Sequence, residues 1–594
     1  VTTRAELLGN LRIARRFWPQ LAEHRRQIVL VGLASLAVTA LEILKPWPIQ
    51  FLFDHALAPA GPARWPLQDI VLGCMGAALL IGLSAAGAQW LREIRLAEVS
   101  QQVTRSLRQM LFRQLVQLSP RFHAKHKSGD LLVRLMGDVP MLQQMLVEST
   151  IELLTRITLV LGTLAVMAAI DWVLAVAVLA VAPALALMIA AAGRRIRDQV
   201  RKQRKKEGDM ADFLHEAVAG TLLLQSLGRE EHTAHRFARS NRTTARAGLR
   251  ATRLGAGLAL RVESLLATML AVALGLGAWR VTRDTPEHLS AGELLVFMAY
   301  VRGLLKPLRA VGKHGERVAK GAACGERILH VLDSQVDVVS APGAPAAPVQ
   351  PALLELRDVR FAYEPGRLAL DGFSAAFRRG ELAALFGPSG AGKSTVTSLA
   401  LRLFDPDSGA VLLDGQDLRG LEVASLRARF GLCLQDTVLF GDTLRENLLL
   451  GRPDASDADL WVALQAAAAD DVVRALPGGL DARLGTAGGG LSGGQRRRLS
   501  LARTLLRDAP VLVVDEPFAG LDREAAARVH ATLVARAREA IVIVVTHEVL
   551  RLEDFDRILL VHSGRVLDQG RHAELLARSP EYERLVGQAL ESSP

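Results

Sequence analysis

The sequence predicts two domains of different class. The first is a membrane domain of six transmembrane α-helices with long cytoplasmic extensions, and the second is an α/β domain built around a phosphate-binding loop. Three observations carry this. Long apolar runs recur up to Asp333 and are missing after it. Alternate connections between those runs are long and basic, while the others are short. Beyond residue 351, short β-branched runs alternate with helical patterns, as in a sheet flanked by helices.

The 594 residues are 50% hydrophobic, and Lys plus Arg outnumber Asp plus Glu by 72 to 61. Such a basic balance fits either a nucleic-acid footprint or a membrane protein with basic loops, so the placement of the charges must decide. Cys74, Cys324 and Cys433 lie far apart with no CxxC spacing, which excludes a disulfide framework and a cysteine-based zinc site. The first stretch, VTTRAELLGNLRIARRFW, has arginines but no short apolar core, so no secretory signal is expected there.

Candidate spans run over 28–53, 67–91, 151–170, 172–192 and 258–279, with a sixth near 294–308 that Arg302 and Lys306 interrupt. Most have the roughly 20 residues a helix needs to cross hydrocarbon. Arg12, Arg15, Arg16, Arg25 and Arg26 precede the first span. Arg105, Arg108, Arg113, Lys125 and Lys127 follow the second, and GRRIRDQVRKQRKK (193–206) follows the fourth. On the other side, Asp171 alone separates spans three and four. Basic loops stay in the cytoplasm, so both termini are expected there, in what is expected to be a bacterial cytoplasmic membrane. The charge is thus a topology signal, and nucleic acid is not an expected partner.

The cytoplasmic connections read as helices running on past the bilayer, because QQVTRSLRQMLFRQLVQL has helical spacing and no Gly or Pro. The Pro- and Ala-rich SQVDVVSAPGAPAAPVQPA is a linker. The expected domains are therefore residues 1–333 (membrane), 334–351 (linker) and 352–594 (α/β).

GPSGAGKST, Gly387 to Thr395, follows the apolar strand LAALF and precedes a helical pattern. That is the context a phosphate loop requires. Gly390 and Gly392 let backbone amides approach phosphates, with Gly387 and Ser389 in the same loop. Lys393 brings charge to the outer phosphates, and Ser394 offers a hydroxyl to Mg²⁺. VLVVDE is a buried strand ending in two carboxylates. Asp515 would hold Mg²⁺ through water, and Glu516 would act on the attacking water. IVIVVTHE repeats the pattern and brings His547 towards a γ-phosphate.

A second glycine-rich cradle, LSGGQ (Leu491–Gln495), follows about a hundred residues later. The order GPSGAGKST, Gln435 in CLQDTVLF, LSGGQ, VLVVDEP, AGLD and VTH resembles the ATPase domain of an ATP-binding cassette (ABC) transporter, from about Leu353 to Leu585. The resemblance implies an α/β P-loop ATPase domain of the ABC type, with ATP and Mg²⁺ as cofactors. It implies that Tyr363 in FAYEPG stacks on adenine and that Gln435 contacts Mg²⁺. It also implies that Ser492, Gly493, Gly494 and Gln495 serve ATP held by a facing subunit, with Asp522 near the shared interface. One cradle is then for this chain's nucleotide and the other for its partner's.

The six spans ahead of that domain, with SGDLLVRLMGDV (128–139) and HEAVAGTLLLQSLGRE (215–230) in the cytoplasmic loops, resemble an exporter-type half-transporter. Short helices near Lys125–Leu132 and Phe213–Gly220 would pass motion between the domains. One departure is Thr486, standing where the family usually carries glutamate ahead of LSGGQ.

Ionisable residues inside spans are the candidates for substrate contact: Glu42 and Lys45, Arg261 and Glu263, and Arg302 and Lys306. Glu42 and Lys45 could equally pair with each other. The expected activity is an ATPase coupled to export, or leaflet flipping, of a small amphipathic or lipid-like substrate by a dimer in the bilayer, a homodimer being favoured. The alternative is one half of a heterodimer, for which no motif excludes the import direction. ABC ATPases acting on DNA or ribosomes lack spans, and a receptor that only switches would have no use for Glu516 and His547.

Overall fold

The computed structural model describes residues 12–57, 65–126, 128–282, 289–435, 437–485, 488–549 and 551–592. The chain forms two compact units. One comprises Val1–Val116 and Gly129–Asp333, and the other Gln117–Ser128 and Ser334–Pro594. Thr486 and Lys127 lie outside the described residues, as does the side chain of Lys306.

The described residues of the first unit are helical and hold no strand, with π-helical turns at Phe53–Leu57, Arg134–Asp138 and Gln144–Ser149. Four of its helices are long and apolar enough to cross a membrane: Arg25–Ala56, Leu67–Gln117, Ser128–Ile170 and Glu230–Val281. At 1.5 Å per residue, the 51 residues of Leu67–Gln117 reach about 75 Å, far beyond a bilayer core of about 30 Å. The helical reading of the basic connection is correct.

The fourth and sixth spans are each built in two pieces. Trp172–Leu179 gives way to Ala182–Ala219, with Pro183 in the first turn of the second piece, where its missing N–H costs nothing. Ala291–Gly303 breaks at Leu304 before Leu305–Leu332, with Pro307 again in a first turn. A short helix lies at Thr221–Ser226, later than expected. The long helix runs on through Phe213–Ala219, and Gly220 ends it.

Large apolar side chains face outward along the spans, including Leu79, Leu80, Leu83 and Leu187. Hydrocarbon accounts for such a surface. Inside, Met167, Leu174, Leu266, Phe297 and Tyr300 pack as a core. The first span is kinked at Pro46 and Pro48, neither of which can donate to the helix. Tyr300 Oη donates to the Ile43 carbonyl beside the kink and accepts from Trp47 Nε1 at 2.9 Å. The polar tip of span six thereby satisfies the broken turn of span one.

The second unit holds two sheets. The strands are β1 (Leu353–Glu364), β2 (Arg367–Arg378), β3 (Leu382–Phe386), β4 (Ser408–Leu413), β5 (Gln416–Asp417), β6 (Phe430–Cys433), β7 (Val511–Asp515), β8 (Ile541–Thr546), β9 (Arg557–His562) and β10 (Arg565–Gly570). The smaller sheet, β2-β1-β4-β5, is antiparallel. The larger runs β10-β9-β3-β8-β7-β6 and is parallel except at β10. Its central strands are buried on both faces. Phe386, Val514 and Val544 enter one core, while Leu385, Val513 and Ile543 enter the other. That two-sided burial explains the unbroken apolar runs LAALF, VLVV and IVIVV.

Candidate nucleotide site

β3, β8, β7 and β6 are neighbours, so their C-terminal ends share one edge of the sheet. Ligands of open parallel sheets bind at that edge. The loop of Gly387 to Gly392 leaves β3, Glu516 follows β7, His547 follows β8, and Gln435 lies just past β6. Segments far apart in sequence are brought together by strand order alone.

The loop's shape depends on its glycines. Gly392 has φ +104°, and a Cβ there would come within 2.8 Å of the Ala369 carbonyl oxygen. A Cβ on Gly387 would meet the Val561 carbonyl oxygen at 2.1 Å. Gly390, at φ +80°, has open space around it, so its need is conformational only. The helix Lys393–Ala400 starts directly after this loop, with Ser389 and Ser394 exposed beside it.

Lys393 is buried, and its ammonium donates to the carbonyls of Gly387 (2.7 Å) and Pro388 (3.0 Å). Burial lowers its pKa, with Glu516 and Asp515 opposing. Asp515 is pushed up to about 6, by burial first and by Glu516 second. Glu516 sits at φ +52°, a conformation that costs a non-glycine residue about 1–3 kcal/mol. Its N–H is fixed to the Val545 carbonyl at 2.8 Å. Oε1 takes a 2.5 Å hydrogen bond from His547 Nδ1, while Oε2 is buried with no partner among the described residues. That orphan oxygen is an acceptor waiting for a donor.

The oxygen set fits Mg²⁺. Ser394, Asp515 and Gln435 offer a hydroxyl, a carboxylate and an amide, all hard donors. Among the described residues no three His, Cys, Asp or Glu side chains cluster as a metal cage. Mg²⁺ ordinarily takes one or two carboxylates together with substrate phosphates, so none is required.

Tyr363 is edge-on to Phe361 and Phe404, with centroids at 5.0 and 5.4 Å. Its hydroxyl reaches Thr395 Oγ1 at 3.3 Å, which ties the aromatic platform to the phosphate-loop helix. Sequence reasoning missed a neighbour here. Arg121, in the short helix Pro120–Lys125, donates to the Ala362 carbonyl at 2.9 Å, and its guanidinium lies 5.9 Å from the Phe361 and Phe404 rings. An arginine from a loop between spans two and three is thus built into the second unit beside Tyr363. Only its place in a basic loop between spans could have drawn attention to it.

LSGGQ is the start of the helix Gly493–Leu506. Ser492 caps it reciprocally with Gln495: Ser492 Oγ accepts from Gln495 N–H, and Gln495 Oε1 accepts from Ser492 N–H. Gly494 passes against the loop before Asp522, since a Cβ would meet the Gly520 carbonyl oxygen at 2.8 Å. Gly493 is open on that side. Asp522 itself caps the helix Arg523–Ala537 through Ala525 N–H. Among the described residues, no hydrogen bond of Ser492 or Gln495 reaches residues 387–395. The basic run that follows faces inward: Arg496, Arg497 and Arg498 donate to the carbonyls of Leu491, Ala519 and Ala468.

In the first unit, Glu42 and Lys45 pair with each other. Sequence reasoning also missed Arg92, which is buried against Glu93 and Glu152, the latter shared with Arg156. Asp171 caps Trp172–Leu179 and pairs with Arg280.

Comparison with known proteins agrees with this geometry. Residues 28–308 match the family described as the ABC transporter transmembrane region, and residues 370–519 match ABC transporter. An ATP-dependent lipid A-core flippase of Chromobacterium violaceum is 31% identical over 94% of each chain. One from Dechloromonas aromatica is 31% identical over 98% of this chain and 97% of its own. The solved structure of a bacterial Atm1-family ABC exporter with ATP bound superposes with a TM-score of 0.80 at 28% identity, covering 96% of this chain and 99% of that one.

Proposed function

Since the chain belongs to the ABC transporter family and is an ATP-driven exporter, coupling ATP hydrolysis to export or leaflet flipping, we propose that it works as a homodimer on a small amphipathic or lipid-like substrate in a bacterial cytoplasmic membrane, with both termini in the cytoplasm. The observation that carries the catalytic part is the convergence of Lys393, Asp515, Glu516 and His547 at one sheet edge, with Glu516 Oε2 left unpaired. The lipid-like substrate is supported by the lipid A-core flippases among the relatives.

In this reading Tyr363 stacks on adenine. Lys393 leaves the Gly387 and Pro388 carbonyls for the outer phosphates of ATP. Glu516 Oε2 takes a proton of the attacking water in hydrogen bond and aims its oxygen at the γ-phosphorus. His547 holds the other carboxylate oxygen, leaving Nε2 free for the γ-phosphate. Ser394, Gln435 and Asp515 would hold Mg²⁺, which would neutralise charge on the phosphate oxygens.

A second copy of the chain is supported by two features. Ser492 is satisfied within its own helix and turns to no group in its own phosphate loop, so its hydroxyl proton is free for a facing subunit's ATP. Val218, Leu222, Leu223 and Leu227 form an exposed apolar tip at the far end of the helix pair joining spans four and five, with Leu222 82% exposed. Such a patch, outside the spans, fits burial by another chain. ATP that bridges two ATPase domains favours their closed arrangement, and hydrolysis withdraws that preference.

ATPase activity of the chain purified alone in lipid, beside Glu516→Gln, tests the reading. Activity is expected in the wild type and a loss of at least about a hundredfold in the variant. A well-folded but silent wild type would remove the homodimer.

A further inference from the structure

Spans five and six enclose a groove of about 750 Å³. Its walls are one face of each helix: Leu274, Ala278 and Val281 on one side, Leu294, Met298 and Arg302 on the other. The helices meet closely beneath it, where Gly277 leaves no room for a Cβ beside Leu294 Cδ1. Among the described residues, Arg302 is the one charged side chain lining the groove, and it makes no hydrogen bond or ion pair with them.

The position of Arg302 makes that unusual. It lies eleven residues beyond Ala291, the first residue of its helix, a rise of about 16 Å. That is roughly half the hydrocarbon thickness. An unpaired arginine at such depth costs about 2.5–3.5 kcal/mol, and ionisable groups persist there when they serve a pathway or ligand. Among the described residues, Arg92, Arg156 and Arg280 have carboxylate partners, while Arg261, near the other end of span five, resembles Arg302 in having none but does not line this groove. A second groove, of about 700 Å³ and lined by Trp47, Phe51 and Trp65, has Asp69 as its single charge among the described residues and so disfavours anions.

We propose that the groove between spans five and six binds an amphipathic anion, with the charged head on Arg302 and the hydrocarbon chain along Leu274, Leu294 and Met298. A volume near 750 Å³ suits one ligand of drug or single-chain lipid size. This deepens the transport reading by assigning a substrate class, and it rests on that reading.

The test measures binding of 1-oleoyl lysophosphatidate and of uncharged monoolein to the purified full-length chain by native mass spectrometry in neutral detergent. The wild type is expected to prefer the anion about tenfold, the scale of one charge-assisted hydrogen bond. Arg302→Ala should lose the preference yet still bind monoolein, Arg302→Lys should keep it, and Leu295→Trp, which fills the groove, should weaken both ligands. Wild-type preference in Arg302→Ala, or unchanged binding in Leu295→Trp, overturns the site. Wild-type ATPase activity, read on the same samples, separates the two readings. An inactive chain that keeps its anion preference overturns the homodimer reading and leaves the site standing.

Discussion

The nucleotide site and the membrane groove treat charge in opposite ways. At the sheet edge, Lys393, Asp515, Glu516 and His547 arrive from three strands, and burial first, with Glu516 second, pushes Asp515 up to about 6. In the groove, Arg302 has no partner among the described residues and stands against apolar walls. The difference teaches how each site chooses a ligand. In the readings proposed above, the crowded polar site would be completed by a nucleotide with its metal, whereas the lone charge on an apolar wall would take a ligand with one opposite charge and a hydrocarbon tail.

The largest expected effect would break the first half of that comparison. Lys393→Ala removes the cation that faces Asp515 and Glu516, and ATP turnover should fall by at least about a thousandfold in a phosphate-release assay. Near-normal turnover would remove the phosphate-loop role of Lys393. Next in size is a test of where the second cradle points. Cysteines placed at Ser389 and Ser492 should crosslink between chains when ATP is present, giving a dimer band on a non-reducing gel. Crosslinks confined to single chains would place both cradles on one nucleotide.

A smaller effect sharpens the contrast within the ATPase unit itself. Arg121→Ala frees the Ala362 carbonyl and the Phe361–Phe404 pair beside Tyr363. The expected result is a KM for ATP raised about three- to tenfold with kcat nearly unchanged, and partial recovery in Arg121→Lys. A fall in kcat at constant KM would show that Arg121 acts elsewhere. The smallest effect concerns a paired charge in the membrane unit. Asp171→Ala removes the acceptor for Val173 and Leu174 N–H and the partner of Arg280, at about 1–2 kcal/mol. A melting temperature a few degrees lower by intrinsic fluorescence would check this, and no change would mean that Asp171 is dispensable.

Much of the nucleotide site was legible because its chemistry is local. A phosphate loop needs Gly387, Gly390, Gly392 and Lys393 within a few residues, and each buried parallel strand must be a continuous apolar run that ends where its ligand group begins. Arg121 was not legible, since nothing near it in the chain names Tyr363 as its neighbour. The membrane charges divide the same way. Helical spacing made Glu42 and Lys45 a possible pair, and they are one. Arg92 with Glu152 and Asp171 with Arg280 join helices distant in sequence, and no periodicity reveals which helices pack.

By itself, then, the sequence determined the class of each half, the positions of most spans and the residue types at the phosphate loop, because hydropathy, periodicity and turn chemistry act over short stretches of chain. Tertiary structure decided which strand ends became neighbours, that Gln117–Ser128 joins the ATPase unit, and that Arg302 looks into a groove with no counter-charge among the described residues. Those outcomes follow from strand order and from the close approach of helices at Gly277. They are set by long-range packing, which a linear pattern does not encode.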